Sequence, residues 1–404
     1  MRLSISAANR ASIVILAGVF AGCSNPSPRS QPLLPVSSDA TPSLADHSGG
    51  SIQFAYVANA GSNDVSAYAI DASSGTLTRV KGSPFGAGTA PYSVAVDPTG
   101  TFAYVPNAGS NNVSAFSIDA SNGVFEKVKG SPFEAGTGPV AVACDPAGKF
   151  VYVVNNGSND VSAYAIDATS GALTPVTGSP STTGSQPDAV AVDPRGKFVY
   201  VANSGSNNVS AYSIDGTSGA LTPLKRSPFR TGTEPFSVTV SPAGKFTYVA
   251  APLSDNIYGY AIDAGSGALT PLPGSPFADP GSSDPLAVVI APNGRFAFVP
   301  NGFECCGFSW NVSAYTIDST RGTLTPVLGS PFVDPGSLPY GGAVDSTSRF
   351  AYITNLRSND VSAYAITVRG ALRKVKGSPY KTGTLPFGVS VCRVTAGKCI
   401  PSPL

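Results

Sequence analysis

Apolar and polar residues alternate with a period of two along almost the whole chain, in short runs closed by Gly, Asn, Asp or Pro. Residues 91–97 (PYSVAVD), 102–106 (FAYVP), 113–119 (VSAFSID) and 124–129 (VFEKVK) are four such runs, and each predicts a strand. The set of four then repeats. Copies start at Phe54, Phe102, Phe150, Phe198, Phe246, Phe296 and Phe350, spaced 48, 48, 48, 48, 50 and 54 residues apart. A period of about 40 to 50 residues made of short strands belongs to propeller blades rather than helical solenoids. The pattern therefore predicts an all-β, seven-bladed β-propeller of four-stranded antiparallel blades, spanning residues 51–404 with a short C-terminal tail.

The ends of the repeat array predict how the ring closes. The copy at Phe54 begins with the second strand of a blade, whereas residues 386–392 (PFGVSVC) supply an innermost strand with no outer strands after it. Pairing the two completes the seventh blade and removes exposed sheet edges. At the middle of the innermost run stand Ala95, Ala143, Ala191, Thr239, Val289, Ala343 and Ser390, mostly small residues suited to the crowded axis.

Turn chemistry agrees with this reading. Residues 61–64 (GSND) and 71–75 (DASSG) recur from blade to blade, which suits left-handed backbone and Asx-turns. Asp71, Asp119, Asp167, Asp215, Asp263 and Asp318 recur at one turn, as turn caps rather than calcium ligands. Asn59, Asn107, Asn155, Asn203, Asn301 and Asn355 form a second structural ladder.

Composition narrows the function classes. The 404 residues carry 25 basic and 24 acidic side chains, a net charge of +1, so no large field is available for nucleic acid or anionic membrane. The 44 glycines and 36 prolines recur at fixed turn positions and act as punctuation. Residues 1–23 place Arg2 and Arg10 before an apolar stretch and read as an export signal. Their end, Phe20-Ala21-Gly22-Cys23, resembles a bacterial lipobox in which Cys23 is acylated, and ordinary secretion is the alternative. Residues 24–50, rich in Pro and Ser, read as a flexible tether with a mean reach of about 30 Å. The expected location is the bacterial cell envelope, and the expected membrane contact is the lipid anchor alone.

Six cysteines suit an oxidising compartment. Cys392 and Cys399 bracket a short segment and are the expected disulfide. Cys144 replaces the Val96 and Val192 of sister blades and reads as a buried thiol, while Cys305 and Cys306 lie in an insertion. The one histidine, His47, falls in the tether, which rules out a His-dependent zinc site in the repeats.

Phrases such as Tyr352-Ile353-Thr354-Asn355 with Ser358-Asn359-Asp360-Val361-Ser362, together with residues 193–198 (DPRGKF) and 218–223 (SGALTP), resemble the YVTN repeat. They resemble the lactonase family of seven-bladed propellers, which includes 6-phosphogluconolactonase-like enzymes, over residues 51 to about 395. The resemblance implies a sugar-lactone hydrolase as one function. It also implies histidine just after the proline that leads each innermost strand. Here those positions hold Tyr92, Val140, Asp188, Phe236, Leu286, Tyr340 and Phe387. Acid–base chemistry at neutral pH then requires a carboxylate of raised pKa or a metal-bound water.

Departures from the repeat mark where this chain differs from its own scaffold. Just before the leading prolines stand Ala90, Gly138, Gln186, Glu234, Asp284, Leu338 and Leu385, which predicts a polar arc across three neighbouring blades. Asp188 and Arg230 lie close to it in sequence, and Asp279 precedes Asp284. Glu234, Asp284 and Asp188 are the candidate catalytic groups, and Gln186 and Arg230 the candidate ligand contacts. The insertion 302–310 (GFECCGFSW) adds Glu304 and Trp310, the chain's single tryptophan. The expectation is a monomeric, surface-tethered binding scaffold that grips a protein or glycan and needs no cofactor. A sugar-lactone hydrolase using carboxylates or a divalent cation, and a structural envelope protein, are the alternatives.

Overall fold

The computed structural model describes residues 52–280, 284–302, 310–333 and 335–402. Within them seven antiparallel sheets each take one repeat, and the inner strands touch one another in a closed ring. Blades are numbered 1 to 7 from the repeat at Phe54. Blade 3 shows the common order, from Pro139–Cys144 innermost through Phe150–Asn155 and Asp160–Ile166 to Leu173–Pro175 outermost. The outer strand differs from the single run predicted by the pattern. It has a second length, Ser181–Thr182 in blade 3, that pairs with the same third strand after a Gly-Ser-Pro turn. All seven Ser–Pro bonds at this turn are cis. The serine oxygen occupies the gap in the ladder and accepts a third-strand amide, as from Ala163 N to Ser179 Oγ at 2.8 Å.

The ring closes as the two incomplete copies require. Pro386–Thr395 pairs with Gln53–Asn59, placing Cys392 opposite Phe54 and Val389 opposite Val57. The inner strand then turns back into Lys398–Pro401, and Cys392 and Cys399 form a disulfide with Cα atoms 5.2 Å apart. Cys399 N donates to Gly100 O of blade 2 at 2.9 Å, so the last hairpin also holds the neighbouring blade.

Each small inner-strand residue faces a large aromatic on the second strand: Ala95 pairs with Tyr104, Ala143 with Tyr152, Ala191 with Tyr200 and Ser390 with Tyr56. These tyrosines are buried, and their hydroxyls find acceptors in the next blade. Tyr56, Tyr104, Tyr152, Tyr200, Tyr248 and Tyr352 donate to the carbonyls of Gly123, Gly171, Gly219, Gly267, Gly322 and Gly75 at 2.7 to 3.2 Å. Burial pushes all six phenols upward. Blade 6 carries Phe298 instead, with no hydroxyl to reach blade 7.

The turn carboxylates cap their own hairpins. Asp71 Oδ1 accepts the hydroxyls of Ser73 at 2.6 Å and Ser74 at 2.7 Å, and these bonds, with the amides of Ser74 at 2.7 Å and Ser73 at 3.1 Å, hold its pKa to about 2. Asp119, Asp167, Asp215 and Asp263 are lowered by serine hydroxyls and amides of their own turns, and Asp318 by the amides of Arg321 and Thr320. A carboxylate lowered on folding contributes stability above the ordinary Asp value of about 3.9 and loses it as pH falls through its folded value. Thermal midpoints are therefore expected to drop between pH 4 and the folded value of about 2 for Asp71. A variant with Asp167 and Asp215 changed to Asn should lose less over that window.

Candidate functional site

Loops leading from an outer strand to the next inner strand share one face with the turns between second and third strands. Ala108 N donates to Ala90 O at 2.8 Å and Gly109 N to Thr89 O at 2.9 Å. At the mouth of the channel on this face, the residue before each leading proline has positive φ in all seven blades, including Gln186 (51°), Glu234 (52°) and Asp284 (34°). The second-to-third-strand turn of the previous blade fixes that backbone. Asn159 Oδ1 accepts Gln186 N at 2.7 Å and Asn207 Oδ1 accepts Glu234 N at 2.9 Å. Ala90 N is held in the same way by Asn63. The strained conformation thus belongs to the fold, and what blades 4, 5 and 6 add is three half-buried polar side chains in succession.

The other predicted contacts separate from this arc. Arg230 is exposed on the outermost strand of blade 4, where it pairs with Asn208 and its carbonyl accepts Tyr260 OH at 2.7 Å. With Tyr258 and Tyr260 it lines a shallow cavity of about 270 Å³ on the outer rim, away from the channel mouth. Asp279 is buried and accepts Tyr315 OH at 2.8 Å, a carboxylate doing what a backbone carbonyl does for Tyr164 and Tyr260. Burial and the Asp279 charge raise the Tyr315 phenol.

Asp188 is the one acidic member of the ring of post-proline residues, and it is turned inward with 8% of its surface exposed. Asn156 of blade 3 donates to Pro187 O at 3.0 Å and to Asp188 Oδ1 at 3.1 Å, joining two blades. Sequence reading missed Asn156. The signal was present: sister copies hold Ala60, Ala108, Ser204, Pro252, Gly302 and Leu356 there, and the departure falls one blade before that of Asp188. Removing a donor from a buried carboxylate costs about 1–3 kcal/mol. Asn156→Ala is expected to lower denaturant stability by that amount, and adding Asp188→Ala should recover part of it.

Around Asp188 the ring is apolar. Phe387 stacks on Tyr92 with centroids 4.2 Å apart and meets Tyr340 edge-on at 4.9 Å, over buried Ala60 and Leu356. Trp310 is half-buried beside Gly302, where a Cβ would lie 3.0 Å from both Trp310 Cδ1 and Pro339 Cδ. A side chain at position 302 would crowd both Trp310 and Pro339, which glycine avoids. Glu304, Cys305 and Cys306 lie outside the described residues, as do Cys23 and the tether. Cys144 ends the blade 3 inner strand with its thiol pushed upward by burial.

A seven-bladed propeller with a polar arc and an aromatic collar at its channel mouth is the class these features define. The chain belongs to the lactonase family: the model described as Lactonase, 7-bladed beta-propeller matches residues 47–137 and 94–281, more than half of its length. Among solved structures, a Bacteroides fragilis protein provisionally assigned as a 6-phosphogluconolactonase is 17% identical, with a TM-score of 0.74 over 87% of this chain and 99% of its own. A periplasmic gluconolactonase from Pseudomonas aeruginosa is 18% identical, with a TM-score of 0.70 over 84% of this chain and 99% of its own. A Lactobacillus plantarum protein is 21% identical, with a TM-score of 0.69 over 85% and 99%. At these identities the likeness concerns the fold. No curated protein matches the chain.

Proposed function

We propose that this chain is an exported, envelope-tethered propeller of the lactonase family that binds a glycan at its channel-mouth face without catalysing a reaction there. One observation carries the reading: Asp188, the only carboxylate in the collar, is buried against Asn156 and joins blades 3 and 4. A general base must reach the proton it takes, and a buried, bridging carboxylate is held away from substrate. What remains accessible is a contact surface. Gln186, Glu234 and Asp284 offer hydroxyl-binding groups, and Trp310 offers an aromatic face of the kind that stacks on sugar rings. Ile52 joins the ring at the end of the blade 1 strands opposite Asn59 and the mouth, so Cys23 acylation would leave this face turned away from the anchor.

Lactone hydrolysis is the second reading, favoured by family membership and by the P. aeruginosa relative. It would use Glu234 or Asp284, alone or through a divalent cation. Trp310 is the single tryptophan, so its fluorescence reports on this face alone. Titration of the full chain with oligosaccharides from the producing cell's envelope is expected to give a saturable change that weakens at least tenfold in Glu234→Ala/Asp284→Ala. A flat response across that set would sink the glycan assignment.

A further inference from the structure

The junction of blades 6 and 7 departs from the other six. Phe298 replaces the bridging tyrosine, and the hairpin it faces, residues 367–370, is one residue shorter than residues 71–75. It is capped by Thr367, whose Oγ1 accepts Ala371 N at 3.0 Å, where other blades use aspartate. Beside it Leu328 is 93% exposed and Val368 is 87% exposed, two of the three large exposed apolar side chains among the described residues. Sister blades hold Lys81, Lys129, Thr177, Lys225, Pro273 and Lys376 at the position of Leu328. Leu328, Val368, Val327 and Ala371 line a groove of about 350 Å³ together with Arg369 and Arg373.

Water-exposed Leu and Val in a groove that also carries two cations suit an occupant that is apolar and acidic. The chain itself carries such a segment ahead of the propeller. Residues 32–36 (PLLPV) are its main apolar run after the export signal, and Asp39 follows three residues later. The chain joins the ring on the same face as the 367–370 hairpin and one blade away. Val394 N donates to Ile52 O at 2.7 Å, and Gln53 Nε2 donates to Asp345 Oδ2 of blade 7 at 3.5 Å. Thirteen residues from Asp39 to Ile52 reach about 20 Å on average as coil and at most about 45 Å extended.

We propose that residues 32–39 dock in the blade 6–7 groove, with Leu33 and Leu34 on Leu328 and Val368 and with Asp39 against Arg369 and Arg373. Because the segment is covalently attached, an effective concentration in the millimolar range makes a weak contact sufficient. The docked segment would fix which way the propeller faces relative to its N-terminal anchor.

Hydrogen–deuterium exchange on the full chain tests this, using the amides of Leu33, Leu34 and Val36 to Ala40. Exchange there is expected to be at least tenfold slower than in Leu328→Lys, a substitution that restores the residue of four sister blades, and in Arg369→Glu/Arg373→Glu. Exchange in blades 1 to 4 serves as the folding control. Equal rates in all three proteins would overturn the proposal. So would protection that rises with protein concentration alongside dimer formation, which would mean that a second copy fills the groove.

Discussion

Deleting residues 386–404 is expected to unfold the whole domain rather than leave six intact blades. The closing strand buries Phe387, Val389, Val391 and Cys392 between blades 7 and 2 and pairs along Gln53–Asn59. At about 1.5–3 kcal/mol for each buried apolar side chain, loss of four removes about 6–12 kcal/mol, comparable to the entire stability of a typical domain. Deletion would also expose the Gln53–Asn59 edge to other chains. Circular dichroism and size-exclusion chromatography check the outcome. A monomeric, cooperatively melting six-bladed remnant would show that the blades are more autonomous than their packing implies. A milder probe of the same closure is Cys392→Ser with Cys399→Ser. Opening that eight-residue loop is expected to cost about 2.5 kcal/mol on the loop-entropy account.

Gly171→Ala is expected to destabilise by about 2–5 kcal/mol, more than its small size suggests. Gly171 has φ of 74°, and a Cβ there would stand 2.3 Å from the Phe102 ring of blade 2. Left-handed backbone contributes about 1–2 kcal/mol of that and overpacking about 1–3 kcal/mol. The same residue accepts Tyr104 OH, so any backbone shift also weakens the bridge between blades 2 and 3. Gly178 is the control, because it has φ of 87° and open space around its Cβ position. Gly178→Ala should show the conformational share alone, and equal losses in the two variants would remove packing against Phe102 from the account.

Most of the fold was legible because it is repeated. Seven copies average out local ambiguity, so strand order, blade number and the closing pair Pro386–Thr395 with Gln53–Asn59 followed from period and end effects. The split outer strand was not legible. The Gly-Ser-Pro turn reads as an ordinary breaker, and only the ladder shows Ser179 Oγ standing in for a lost backbone partner. The mouth was legible in one dimension. Gln186, Glu234 and Asp284 do occupy successive blades, since repeat position fixes angle about the axis. Arg230 could not be placed, because nearness in sequence to the arc says nothing about radius, and its strand lies outermost. Asp188 sits at the expected ring position, but its burial depends on Asn156, and that pairing appears only when departures are compared between neighbouring blades.

The central claim is that the channel-mouth face binds and does not hydrolyse. Its most direct test is the rate of D-glucono-δ-lactone hydrolysis by the purified full chain, with and without added divalent cations, set against the spontaneous rate at the same pH. The account predicts no acceleration in either condition. Turnover well above background that falls in Glu234→Ala or Asp284→Ala would contradict it and make the chain a lactonase.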